Sequence, residues 1–334
     1  MTLVLKDRFG RIHDYLRVSL TDKCNLKCIY CTPHQINARD KLDKSEILSF
    51  DELLRIIRVF TTRLGIKKVR FTGGEAMARK DIMKFFWTLA PLKEKTGFEF
   101  AITTNGTLLK ENIEALKKCG LDRVNLSLDS LCPGVFKYIT GSDKLQDVLG
   151  CISSLEEAGF ENLKLNTVVI RDINHLETAD FVDFFRYRDI TLRFIEFMPF
   201  QNNGWTKEAF VSSEEVRRHI EKRFILEKIE DRHQIADLYR VKGYKVKVGF
   251  IRPISEHFCA NCNRLRIKAN GSMKLCLFDP EESEIDLKAA LRNGSDDIEL
   301  IRLISEAMKL KEKEHPDVGS LAQGNRNSMQ NIGG

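Results

Sequence analysis

No apolar run in the 334-residue chain approaches the ~18 residues of a membrane span, so a membrane-spanning helix is not expected. Met1 to Tyr15 has neither an apolar h-region nor a small-residue cleavage site, which argues against export and for the cytoplasm. A strong charge excess is missing as well. The 54 Lys plus Arg stand against 48 Asp plus Glu, and the net of +6 is too mild for a histone-like or ribosomal polycation. Basic runs with interleaved aromatics, the usual mark of a nucleic-acid surface, are absent. With 43% hydrophobic and 31% charged residues, disordered, collagen-like and mucin-like readings fall away for the bulk of the chain.

What is present in quantity is cysteine. Nine cysteines in a chain without an export signal are expected to be reduced, so metal or redox chemistry outranks a disulfide framework. The length, at ~150 residues per domain, suggests two domains or one large α/β barrel with an appendage.

From Tyr15 to Met198 short apolar runs alternate with amphipathic segments. Strands are predicted at Tyr15–Leu20, Lys67–Thr72, Phe98–Thr103, Arg123–Asp129, Leu163–Ile170 and Thr191–Phe197, with helical patterns between them. Ser49 and Glu52 have capping-box spacing ahead of an apolar face at Leu53, Ile57 and Phe60. Six strand–helix units predict an α/β fold, a partial (βα)6 TIM-like barrel over residues 1–199. Residues 200–314 then form a C-terminal β-containing lobe, with a helix at Ser212–Arg223, a β-rich stretch at Leu238–Ile254, a hairpin turning at Asn270-Gly271 and a helix at Asp296–Lys311. Residues 315–334 read as a mobile tail by composition.

The strand parities are unusual. Parallel strands covered on both faces normally run apolar throughout. Here Leu16 and Val18 oppose Arg17 and Ser19, Val69 and Phe71 oppose Lys68, Arg70 and Thr72, and Leu163 and Leu165 oppose Lys164 and Asn166. If the apolar faces meet the helices, the cations point into the lumen, where charge is expensive without a ligand. The lumen therefore reads as a site for a polyanion, with Arg264 and Arg266 closing it from the C-terminal half.

Two cysteine groups stand out. Cys24, Cys28 and Cys31 follow the first strand as C-x3-C-x2-C, at the strand end where barrel chemistry sits. Three thiolates satisfy three irons of a four-iron cluster and leave the fourth open; the rival is zinc with His34 as fourth ligand. Cys259, Cys262 and Cys276 form C-x2-C-x13-C, which alone divides between zinc, with His257, and iron–sulfur. The first group shifts the balance to a second cluster. Cys119, Cys132 and Cys151 have no partner spacing and read as buried filler. Gly73-Gly74-Glu75 at the end of the second strand offers close backbone approach to a ligand and a carboxylate for an amino group.

The first triplet, with an aromatic before its last cysteine, resembles the radical S-adenosylmethionine superfamily. Thr72-Gly73-Gly74-Glu75, Thr103-Thr104-Asn105-Gly106, Asn125-Leu126-Ser127-Leu128-Asp129, Arg193-Phe194-Ile195-Glu196-Phe197-Met198, Phe258-Cys259-Ala260-Asn261-Cys262-Asn263-Arg264-Leu265-Arg266, Cys276-Leu277-Phe278 and the terminal Gly333-Gly334 extend the likeness along nearly the whole chain. Together they resemble the GTP 3′,8-cyclases of molybdenum cofactor biosynthesis, the molybdopterin biosynthesis protein A family. Ala76 departs from that family's usual proline and is expected to loosen its loop, and Thr32-Pro33 replaces the usual Met-Pro.

The resemblance implies two 4Fe-4S clusters, one on Cys24, Cys28 and Cys31 that binds S-adenosyl-L-methionine, and one on Cys259, Cys262 and Cys276 that meets the guanine edge. Tyr30, Gly74, Ser127 and Met198 would contact S-adenosylmethionine, with Met198 beyond the end of the strand that carries Arg193. Arg17, Lys68, Arg70, Thr103, Lys164, Arg193, Arg264, Leu265 and Arg266 would surround GTP. Catalytic roles are implied for Arg17, Arg264, Arg266 and for Gly333 and Gly334 of a tail entering the site. The implied reaction is the first step of the pathway, conversion of GTP to 3′,8-cyclo-7,8-dihydro-GTP, in which a 5′-deoxyadenosyl radical takes the C3′ hydrogen and the ribose radical attacks guanine C8. Its implied partners are an external electron donor and a downstream cyclic pyranopterin monophosphate synthase, without nucleic acid or membrane, and the chain is compatible with a homodimer. The alternatives are a radical peptide maturase, for which the C-terminal half has few cysteines and the polyanion lumen is unexplained, and a zinc-binding nucleic-acid module.

Overall fold

The structure, a computed structural model, describes residues 3–31, 42–230, 236–256, 259–324 and 328–333. β1 (Tyr15–Ser19), β2 (Lys68–Thr72), β3 (Glu99–Thr104), β4 (Arg123–Ser127), β5 (Leu163–Val169) and β6 (Ile190–Glu196) lie side by side, in chain order and parallel. Helices α1 (Phe50–Arg63), α2 (Ile82–Thr96), α3 (Ile113–Lys118), α4 (Pro133–Thr140), α5 (Leu145–Glu157) and α6 (Thr178–Phe185) connect them. This is the predicted six-unit partial barrel. The capping box that starts α1 is formed: Glu52 N–H donates to Ser49 Oγ at 3.1 Å, and Ser49 N–H to Glu52 Oε2 at 2.6 Å.

Past α7 (Ser213–Glu221) the chain adds β7 (Leu226–Ile229), β8 (Asp237–Val241), β9 (Lys247–Ile251), β10 (Arg264–Ile267), β11 (Ser272–Lys274) and β12 (Ile285–Asp286), then α8 (Leu287–Arg292) and α9 (Asp297–Met308). These strands extend the barrel's own sheet. β10 joins β1 in parallel and β9 joins β6 in parallel, while the strands beyond them run antiparallel, giving the order β12-β11-β10-β1-β2-β3-β4-β5-β6-β9-β8-β7. The expected turn at Asn270-Gly271 lies between β10 and β11, with Gly271 at φ +87°.

Burial follows the predicted parity. Leu16, Val18, Val69, Phe71, Val124, Leu126, Leu163 and Leu165 belong to one buried core facing the helices. Phe71 meets Phe86 of α2 edge-on at 5.4 Å. Each such side chain contributes about 1.5–3 kcal/mol by leaving water, which fixes the register and commits the alternate residues to the lumen.

The tail differs from its compositional reading. It forms two short helices, α10 (Val318–Gly324) and α11 (Met329–Ile332), and Leu321 and Ile332 pack with Phe200 and Phe278 in a separate small core. Apolar residues spaced within an otherwise polar segment find a surface that composition averages away. Among the described residues no helix is long and apolar enough to cross a membrane.

Candidate active site

The loop after β1 carries Cys24, Cys28 and Cys31, and its backbone is seated on two neighbours. Gly74 N–H donates to Thr21 O at 2.7 Å, and Glu75 N–H to Lys23 O at 2.8 Å. A Cβ on Gly74 would lie 2.4 Å from Lys23 O, and one on Gly73 2.7 Å from Thr21 O. The two glycines therefore let the cysteine loop approach, in addition to facing the cavity. From the other side, Lys27 N–H and Ile29 N–H donate to the last carbonyls of α4, Thr140 O and Ile139 O, at 2.9 Å each. Helix α4, absent from the predicted elements, was signalled by Pro133 at its first turn and Gly141 at its end.

Glu75 is buried and already engaged. It accepts from Met77 N–H at 3.0 Å, Thr104 Oγ1 at 2.8 Å and Asn105 N–H at 2.7 Å. Most of its lone-pair capacity is thus used within the protein. The same bond to Met77 caps a short 3-10 turn over Ala76–Ala78. Asn105 Nδ2 in turn lies 3.8 Å from Cys24 Sγ, which also accepts Leu26 N–H at 3.4 Å.

A single cavity of about 450 Å³ runs from this loop through the barrel lumen. Arg17, Lys68, Arg70, Lys164, Arg193, Arg264 and Arg266 line it. Burial and mutual repulsion weaken their hold on protons. Burial, with Arg193, Lys68, Arg70 and Arg123 nearby, draws Lys164 down to about 8. Arg193 falls to about 9 and Arg266 to about 10, chiefly by burial and then by a neighbouring guanidinium. Tyr15, which donates no predicted role, stands among them and bonds Arg70 Nε at 2.6 Å through its hydroxyl oxygen. Burial alone raises its pKa, but Arg70, Arg17, Arg264 and Lys68 pull it down to about 7. Arg193 Nε, Thr103 Oγ1, Asn125 Oδ1 and Asn166 Oδ1 are buried at the cavity without a hydrogen-bond partner among the described residues. Such atoms are costly unless a ligand completes them.

Cys259, Cys262 and Cys276 face the same cavity. Cys259 and Cys262 precede the N-terminal end of β10, whereas the first triplet follows the C-terminal end of its partner β1, so thiols stand at both ends of that strand pair. Burial pushes the Cys276 thiol up to about 11 and raises Cys259. Cys28 is raised well above its ordinary value by burial, then by Asp129, Cys31 and Cys24. Thiols crowded this way ionise only against a cationic centre, and soft sulfur donors suit iron. Both three-thiol sets face the one cavity, and their donor chemistry suits iron; among the described residues no group of three His, Cys, Asp or Glu side chains is placed to hold a single metal ion.

Tyr30, Gly74, Ser127 and Met198 all line the cavity, and Met198 lies beyond β6, as its parity required. Tyr30 donates to Asp129 Oδ2 at 2.7 Å, and burial lifts Asp129 to about 6. The tail reaches the lumen: Arg266 Nη1 donates to Gly333 O at 3.1 Å, and a Cβ on Gly333 would lie 2.8 Å from Ser19 and Thr72 side chains. Leu265 is a correction. Its side chain is fully buried in the core on the face opposite Arg264 and Arg266 and does not line the cavity. Cys132 is another, being exposed at the start of α4, whereas Cys119 and Cys151 are buried. Gly334, His34 and His257 lie outside the described residues. Tyr15, Asn125 and Asn166 were missed as site residues although their parity with Arg17, Ser127 and Lys164 marks them.

Comparison with known proteins agrees with this arrangement. Residues 18–185 match the Radical SAM superfamily, and residues 190–316 match Molybdenum Cofactor Synthesis C. The chain is 40% identical to the mitochondrial GTP 3′,8-cyclase of Arabidopsis thaliana over 99% of its own length and 84% of that protein. It is 41% identical to the GTP 3′,8-cyclase of Peptoclostridium acidaminophilum over 99% of this chain and 98% of that one. Streptococcus suis SuiB bound to S-adenosylmethionine shares the fold, with a TM-score of 0.63 at 16% identity over 96% of this chain and 78% of that one. With both halves matched and whole-chain relatives near two-fifths identity, the chain belongs to the GTP 3′,8-cyclase family of radical S-adenosylmethionine enzymes.

Proposed function

We propose that the chain converts GTP to 3′,8-cyclo-7,8-dihydro-GTP, the opening step of molybdenum cofactor synthesis, with GTP held in the lumen between two iron–sulfur clusters. The observation that carries this reading is the wall of seven cations around buried, partnerless polar atoms, a frustrated arrangement that a triphosphate and a purine relieve. Cys24, Cys28 and Cys31 would hold the 4Fe-4S cluster that binds S-adenosylmethionine, and Cys259, Cys262 and Cys276 a second cluster. When bound at the first cluster, S-adenosylmethionine supplies the 5′-deoxyadenosyl radical that removes the C3′ hydrogen of GTP.

The protein's part is position and electrostatics. Lys68, Arg70, Lys164 and Arg193 clamp the triphosphate by charge-assisted hydrogen bonds, while Arg17, Arg264 and Arg266 fix the nucleoside. Tyr30, Gly74, Ser127 and Met198 seat S-adenosylmethionine. Gly333 closes the lumen beside Ser19 and Thr72, where a side chain would clash. An external electron donor in a reducing compartment such as the cytoplasm fits the free thiols, and a cyclic pyranopterin monophosphate synthase would take the product. The test is anaerobic incubation with GTP, S-adenosylmethionine and a strong reductant. The expected products are 3′,8-cyclo-7,8-dihydro-GTP and 5′-deoxyadenosine; deoxyadenosine formed with GTP recovered unchanged, in protein carrying about eight irons, overturns the assignment.

A further inference from the structure

Beside the second cysteine triplet lies a buried cation that the reading above leaves unused. Lys311 follows α9 and is 3% exposed. Its Nζ donates to the carbonyl oxygen of Leu275, the residue before Cys276. Its charge bears on three neighbours, the thiols of Cys259 and Cys276 and the ring of His13. Among the described residues no carboxylate lies within ion-pair distance of it. Arg11 approaches from the other side, its Nη1 donating to Cys259 O at 2.8 Å, but its charge is offset by Asp7 at 2.5 Å. Asp279 opposes Lys311, accepting Cys276 N–H at 2.6 Å. Lys311 thus brings a buried ammonium donor to the backbone carbonyl next to Cys276, beside thiols that a metal centre would keep ionised.

We infer that Lys311 is a positioning and potential-setting residue for the cluster held by Cys259, Cys262 and Cys276. The inference rests on the proposal that these cysteines hold a cluster. Its bond to Leu275 O fixes the strand end that presents Cys276. Its charge stabilises the reduced, more negative state of the centre, which raises the midpoint potential.

The test uses the full chain with Cys24, Cys28 and Cys31 replaced by alanine, so that one cluster remains to be titrated. About four irons per chain in this background are expected; no bound iron overturns the second-cluster reading itself. Lys311→Met and Lys311→Gln are then introduced, each checked for a native thermal melt and iron content. Removing the charge is expected to move the midpoint potential downward by about 59 mV, a tenfold change in the one-electron equilibrium. Lys311→Arg is expected to restore the parent value. A potential unchanged in Met and Gln variants that retain about four irons overturns the inference and leaves the cluster intact. An equal drop in Lys311→Arg also overturns it, because shape rather than charge would then be responsible.

Discussion

Arg266 and Gly333 are joined by a hydrogen bond from guanidinium Nη1 to carbonyl oxygen at 3.1 Å, which ties the end of the chain to β10. Gly333 has φ +82°, and a Cβ there would lie 2.8 Å from Ser19 and Thr72 atoms. Gly333→Ala is therefore expected to unseat the tail and lower cyclase turnover at least about tenfold, since left-handed backbone alone costs roughly 1–2 kcal/mol in an L-residue. Iron content should stay at the parent level. Steady-state rates and iron analysis on the same preparation check both halves.

Arg266→Ala separates the two reactions that share the cavity. Losing a charge-assisted contact of ~2–3 kcal/mol should cut GTP turnover about a hundredfold. Cleavage of S-adenosylmethionine without GTP consumption should persist, because Arg266 lies on β10 and not in the first cysteine loop. Chromatographic counts of 5′-deoxyadenosine against cyclised product measure the uncoupling.

Tyr15→Phe removes the hydroxyl that holds Arg70 Nε at 2.6 Å. Arg70 keeps its second anchor, Ile102 O at 2.9 Å, so the guanidinium remains in the wall with looser aim. The loss of ~1–1.5 kcal/mol should appear as about a tenfold fall in kcat/KM carried mainly by KM for GTP.

The pH dependence has a definite sign. Lys164, at about 8 in the free protein, loses its positive charge above that pH. Tyr15, at about 7, gains a negative one in the same direction. Both changes weaken a polyanion site, so kcat/KM for GTP should fall as pH rises through 7 to 8. The Tyr15→Phe variant should retain only the upper limb, and Lys164→Met only the lower one. A profile flat to pH 9.5 in the parent protein counts against the cation wall as the nucleotide site.

Glu75→Gln puts an amide donor against Asn105 N–H or against the Met77 and Thr104 donors, whichever way it turns. The mismatch should cost about 1–3 kcal/mol in a buried site. It should show as a lower melting temperature and slower uptake of iron at the first triplet.

Much of the site was legible because strand parity is a period of two and survives local irregularity. Arg17, Lys68, Arg70 and Lys164 all reached the lumen from that rule, and Leu265 follows the rule as well: its neighbours Arg264 and Arg266 face inward, so it faces the core. Resemblance placed Leu265 at the ligand, and parity would have corrected it. The parallel pairing of β9 with β6 and of β10 with β1 is hidden in the sequence because neither added strand follows a helix in a repeating unit, and four or five residues carry little pattern. The packing of the tail is hidden for a related reason: Leu321 and Ile332 mean nothing until Phe200 and Phe278 are beside them.

β10 pairs with β1 across a sequence separation of roughly 250 residues, Leu16 against Leu265 and Arg17 against Arg266. Such a contact closes late, because the intervening chain must be made and ordered first. During synthesis the first six strands can pair as they emerge, and the first cysteine loop can settle on Gly73 and Gly74. The wall facing it arrives only with the last quarter of the chain. Until then the lumen lacks the β10 side, with Arg264 and Arg266, that faces the first cysteine loop.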